Sequence, residues 1–109
     1  MTFAQIAAQF AAAESGTDSF KQLYKDVFHL MEAGDLENAG FYFVIGVAAQ
    51  AYVRRYEDEA VPVELANRAK ATLESYNAKA LQAASADAAT RLRLLGEAAT
   101  DYQVKVAEF

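Results

Sequence analysis

The spacing of apolar and polar positions divides the chain into five helical segments, and nothing in it alternates with the period of two expected of a strand. Phe3, Ile6, Phe10 and Ala13 recur at steps of three and four, which predicts a first helix over about 2–14. Ser15-Gly16-Thr17-Asp18 ends it, because the glycine tolerates a positive φ and the oxygen side chains can cap the next helix. Phe20, Leu23, Val27 and Leu30, widened by Tyr24, Phe28 and Met31, predict a second helix over about 18–33. Gly34 suits a left-handed stop and Asp35 the next N-cap, so 33–36 reads as a tight turn between antiparallel helices.

The third segment, beginning at Leu36, differs from the others. From Ala39 to Val53 it runs AGFYFVIGVAAQAYV, with Gln50 its only clearly polar residue. A helix that is apolar on every side needs cover on every side, so this segment is expected at the centre of the molecule. Gly40 and Gly46 each cost up to about 1 kcal/mol against alanine inside a helix. Their presence points to close approach by a neighbouring helix. Arg54 and Arg55 precede Asp58 and Glu59 by one turn, the weaker order for ion pairs at a helix C-terminus, and fraying is expected after Tyr56.

Pro62 suits the first position of a fourth helix, whose stripe is Ala66, Ala69, Leu73, Tyr76, Ala80 and Ala83. Ser85 is the expected cap of a fifth, with Asp87 in its first turn. That helix shows a heptad-like stripe of Ala88, Leu92, Leu95, Ala99, Tyr102, Val106 and Phe109. The pattern as a whole predicts an all-α fold: one compact four- to five-helix bundle over 1–109, with a central apolar third helix and a C-terminal antiparallel helical hairpin.

Composition narrows the function classes. With 109 residues, the chain has the size of one domain that can own a core. It has no cysteine, which excludes disulfides and thiolate metal sites and fits a reducing, cytoplasmic setting. The net charge is −5, divided as −4 over residues 1–50 (two bases, six acids) and −1 over 51–109 (eight bases, nine acids). This balance argues against nucleic acid as a partner, because phosphate neutralisation needs a basic face. The apolar run is 15 residues long, short of the roughly 20 that cross a bilayer, so no membrane partner is expected. The first residues carry no Lys or Arg ahead of their apolar stretch and do not read as a secretory signal.

Candidate chemistry is sparse. His29, with Asp26 one turn before it, is the only histidine, too few ligands for a di-metal bundle. In a small acidic helical chain, His29-Leu30-Met31-Glu32-Ala33 resembles the phosphoacceptor segment of histidine phosphotransfer domains. In those four-helix bundles the histidine is followed by a lysine and a small residue, so the resemblance implies His29 as phosphoacceptor. Glu32 here stands where a cation would hold the phosphate. Gly34-Asp35-Leu36-Glu37-Asn38-Ala39, with Phe43 four residues on, resembles the inter-helix turn of a tetratricopeptide unit, which implies a helical pair presenting a groove to a peptide.

Helical nucleotide pyrophosphohydrolases bind magnesium through glutamates spaced three apart on two helices. Glu32 and Asp35 have that spacing but straddle Gly34, and Glu64, Glu74 and Glu97 stand alone. Ser15, Ser19, Ser75 and Ser85 have no base near them in sequence. Neither a metal nor another cofactor is expected.

The remaining signal is the density of aromatic residues: Phe41, Tyr42, Phe43, Tyr52, Tyr56, Tyr76 and Tyr102. Tyrosine is enriched where one protein surface meets another. Phe41, Val44, Ala48 and Tyr52 define one candidate face of the third helix, and Tyr42, Ile45, Ala49 and Tyr56 the other. One is expected to be core and the other contact. The leading expectation is a non-enzymatic helical interaction module that self-associates as a dimer or binds a helical peptide. The alternative is a small hydrophobic-ligand sensor with an aromatic pocket between the second, third and fifth helices. Phosphotransfer through His29 stands third.

Overall fold

The computed structural model describes residues 1–109, which form five α-helices: α1 Phe3–Ala12, α2 Thr17–Glu32, α3 Ala39–Tyr56, α4 Val63–Ala83 and α5 Ala88–Val104. A 3-10 turn at Val106–Glu108 comes after α5, and there are no strands. The bundle measures 42 × 29 × 21 Å. α3 packs against α2, α4 and α5, and its Tyr42 ring meets Phe3 of α1, so the apolar helix touches all the others.

Local chemistry sets the ends. Thr2 Oγ1 accepts from the Gln5 amide (3.2 Å) while Gln5 Oε1 accepts from the Thr2 amide (2.8 Å), a reciprocal cap on α1. At the other end of α1, the Lys70 ammonium donates to the carbonyls of Ala11 (3.0 Å) and Ala13. Gly34 takes φ 97°, and this lets its amide reach the Met31 carbonyl and the Asp35 amide reach the Leu30 carbonyl. Both bonds belong to the Schellman arrangement, which satisfies the last carbonyls of α2 and turns the chain back along α3.

Three predicted starts move. α3 begins at Ala39, because 36–38 form a turn and Asp35 is used elsewhere. Pro62 stands just before α4 with extended ψ (139°), one place earlier than expected. α5 is capped by Asp87, whose carboxylate accepts from the Thr90 amide at 2.8 Å, and not by Ser85.

Twenty buried residues form one core. The predicted stripe of α4 is buried throughout, as are Ile6 and Phe10 of α1 and Phe20, Leu23 and Val27 of α2. In α5 the buried positions are Leu94 and Ala98; Leu92 and Ala99 of the expected stripe face solvent. The cause is Asp101. Its carboxylate accepts a 2.8 Å hydrogen bond from the hydroxyl of fully buried Tyr76, and this turns Asp101, Ala98 and Leu94, spaced three and four, toward α4.

Both glycines of α3 lie under neighbouring side chains. A Cβ on Gly40 would come within 2.7 Å of Leu95 Cδ2, and one on Gly46 would enter the Phe28 ring. These are the close approaches that offset the helix-propensity cost of glycine. The cover over α3 is nevertheless incomplete, because Phe43 is 57% exposed in the middle of the apolar run.

Candidate interaction surface

The structure does not divide α3 into a core face and a contact face along the expected lines. Phe41, Ala48 and Tyr52 are buried, and so are Tyr42, Ile45 and Ala49; Val44 and Tyr56 are half-buried. Both faces belong to the interior. The rings account for this, because a chain of tilted aromatic contacts runs from Phe10 to Phe20 (5.6 Å), to Tyr52 (4.5 Å) and on to Tyr56 (4.8 Å). Such pairs add roughly 0.5–1.5 kcal/mol each beyond burial. Burial raises the Tyr52 phenol above its ordinary pKa.

Tyr42 ties α3 to the preceding turn. Its hydroxyl donates to Asp35 Oδ2 (2.7 Å), and Asn38 Nδ2 donates to both Asp35 oxygens (3.1 and 3.0 Å). Arg91 of α5 closes the cluster by donating to the Glu37 carbonyl (3.1 Å) and to Asn38 Oδ1 (3.2 Å). The Tyr42 phenol is pushed well up by burial and by its carboxylate partner. The Asp35 carboxyl is held below the usual carboxylate range, first by the Tyr42 hydroxyl and then by Asn38. These bonds favour the ionised, folded form, so their contribution is complete above the unfolded value of about 4 and is lost as pH falls through the depressed folded value. Urea unfolding should therefore show stability dropping below about pH 4, with Asp35→Asn removing part of that drop.

The least covered side of α3 begins at Gly40, under Leu95 of α5, and carries Phe43, Val47, Gln50 and Arg54, at steps of three, four, three and four. Phe43 and Arg54 are exposed; Gly40, Val47 and Gln50 are half-buried. Phe28 of α2, lying on Gly46, flanks the strip on one side, and Leu95 of α5, lying on Gly40, flanks it on the other. Leu92, 72% exposed one turn before Leu95, continues the apolar surface onto α5. A depression of about 350 Å³ between Phe41, Leu92, Leu95 and Arg91 lies beside it. Phe43 was legible as part of the aromatic set, but its position at the surface was not. The signal that marks the open side is Gln50, the one polar residue of the run, with Arg54 one turn further along the same side.

His29 lies exposed in the last turn of α2, with Glu32, also exposed, three residues on. Asp26 accepts from Gln22 Nε2 (2.9 Å) and lines a different part of the surface, a small cavity against α1. No group of three or more His, Cys, Asp or Glu side chains converges to hold a metal ion. No helix is long and apolar enough to cross a membrane.

The two most enclosed cavities measure about 80 and 150 Å³, and neither lies between α2, α3 and α5. Small-molecule sites typically begin near ~300 Å³. The depression between α3 and α5 is the open one of about 350 Å³ at Phe41, Leu92 and Leu95, which no residue of α2 lines.

Two polar groups have buried atoms outside these networks, the Asn77 amide and Glu108 Oε2. Asn77 of α4 is 3% exposed, and neither its Nδ2 nor its Oδ1 has a partner. It borders an alanine-lined groove between α1 and α4. A buried unpaired amide costs roughly 1–3 kcal/mol. Asn77→Ala should accordingly raise stability by about 1 kcal/mol despite the lost volume, read as a higher midpoint in urea or heat.

Comparison of the chain with models of known protein families, with curated proteins and with solved structures returns no match. The class is therefore defined by the fold alone: an all-α bundle around an apolar third helix.

Proposed function

We propose that this chain is a non-enzymatic helical interaction module that associates with a second copy of itself. The observation that carries the reading is Phe43, a large aromatic side chain 57% exposed at the centre of a solvent-facing strip on the helix that holds the long apolar run. Exposed apolar patches continuous over neighbouring elements mark contact surfaces more often than they persist bare. Leu92 and Leu95 widen the strip onto α5. The net charge of −5 disfavours a nucleic-acid partner. A chain without cysteine suits the reducing cytoplasm.

Phosphotransfer through His29 has less support, because the side chains near it in sequence include Asp26 and Glu32 and no cation comes after it on its helix. Light scattering and sedimentation velocity across the micromolar range test the leading reading. A dimer that Phe43→Asp dissociates, with helical content unchanged, is the expected result. A monomer at every concentration would overturn it.

A further inference from the structure

The open strip on α3 has a built-in polarity. Gly40, Phe43, Val47, Gln50 and Arg54 stand at steps of three, four, three and four along the helix, and Leu36, 83% exposed, lies in the turn that precedes it. Those steps are the repeat by which one helix seats against another in a coiled coil. At its N-terminal end stands Glu37, its side chain 84% exposed and only loosely facing Arg91 at 3.9 Å, with exposed Glu32 nearby on the preceding helix. At the C-terminal end stands Arg54, exposed and with no ion-pair partner in the subunit. Its neighbour Arg55 is engaged, donating to the carbonyls of Ala107 and Phe109. Of the acids just beyond, Glu57 is engaged by Lys21, and Asp58 and Glu59 lie past the helix end.

Resting on the self-association reading, we propose that the occupant of this strip is the α3 strip of a second copy, running antiparallel about a two-fold axis. The spacing selects one register in which Gly40, Phe43, Val47 and Gln50 meet one another across the seam. Phe43 packs on the partner's Val47, Gly40 with its covering Leu95 meets the partner's Gln50, and the turn that carries Leu36 and Glu37 meets the partner's Arg54. Each contact occurs twice, as two-fold symmetry requires. The antiparallel sense places the basic end of each strip on the acidic end of the other. A parallel pair would set Arg54 against the partner's Arg54 and Glu37 against the partner's Glu37, and like charges in juxtaposition are disfavoured. Gln50 is the polar seam residue, of the kind that fixes register in paired helices at some expense of stability.

The test is a charge-reversal cycle on the full chain, read as the dimer dissociation constant by sedimentation at low ionic strength. Arg54→Glu and Glu37→Lys should each weaken the dimer about three- to tenfold, and the double variant should return it to within about twofold of the original. Restoration by the double variant separates pairing across the interface from a local effect of Glu37→Lys on Arg91. Single variants without effect, or a double variant weaker than either single one, would overturn the antiparallel arrangement. Self-association itself would then still stand if Phe43→Asp dissociated the dimer. A wild-type monomer, or a dimer indifferent to Phe43→Asp, would overturn both readings. Capture of an unrelated helical peptide on the strip in preference to a second copy would also overturn the proposal.

Discussion

Gly46→Val is expected to destabilise the bundle by about 3 kcal/mol, although glycine is among the poorest helix formers. A side chain at this position enters the Phe28 ring, which lies directly over the glycine and joins α2 to α3. The ring is half-buried, so it can be displaced, but only by giving up the contacts that hold the two helices together. The same logic predicts a change of sign. Gly46→Ala should be mildly destabilising in the natural chain, where the helix-propensity gain of about 1 kcal/mol is outweighed by moving Phe28. In a Phe28→Ala background the obstruction is gone, and Gly46→Ala should then stabilise by about 1 kcal/mol. Urea unfolding of the four chains in the cycle gives the coupling directly; additivity would show that the two side chains do not share this space.

Tyr52→Ala should be the more damaging change, at about 4 kcal/mol, enough to consume a large part of the stability of a domain this size. Tyr52 is 1% exposed, and its ring bridges Phe20 of α2 and Tyr56 of its own helix. Its loss leaves a cavity at the centre of the aromatic chain. Phe43→Ala, nine residues earlier on the same helix, should change the stability of the isolated subunit by only about 0.5 kcal/mol. The pair separates two kinds of aromatic residue that look alike in the sequence: one holds the fold, and the other is free to meet a neighbour. Thermal melts of both variants at low protein concentration check the contrast.

The sequence pattern carried most of the architecture because each helix has a repeating apolar spacing and a chemical stop. Gly34 shows this best: a left-handed glycine was expected there, and its positive φ lets its own amide and that of Asp35 make the two bonds that end α2. Rotation of the helices was harder to read. In α5, the residues 92, 94 and 95 are all leucine, so spacing alone could not choose the buried one. The choice fell to Asp101, a polar residue that turns inward because Tyr76 needs an acceptor for its buried hydroxyl. Asp35 misled for the same reason, serving the Tyr42 phenol instead of capping α3.

The candidate surface was the least legible part. In a run with 14 apolar or small residues out of 15, periodicity has almost nothing to distinguish one side from another. Both proposed faces of α3 turned out to be interior because an aromatic chain needs partners from two directions. Only Gln50 and Arg54 marked the wet side, and a single polar residue in a hydrophobic stretch is easily taken for an exception.

The manner in which α1 is held has its own consequence. This shortest of the five helices is anchored by Ile6, Ala7 and Phe10 and by one ammonium group that grips its trailing carbonyls. It lies beside the unpaired Asn77 amide, which α1 neither satisfies nor leaves open to water. The first helix is therefore the element most easily detached. Chemical neutralisation of the Lys70 amine, as acetylation would achieve, loosens that segment and with it the Phe10 ring, while the Phe20, Tyr52 and Tyr56 contacts stay assembled.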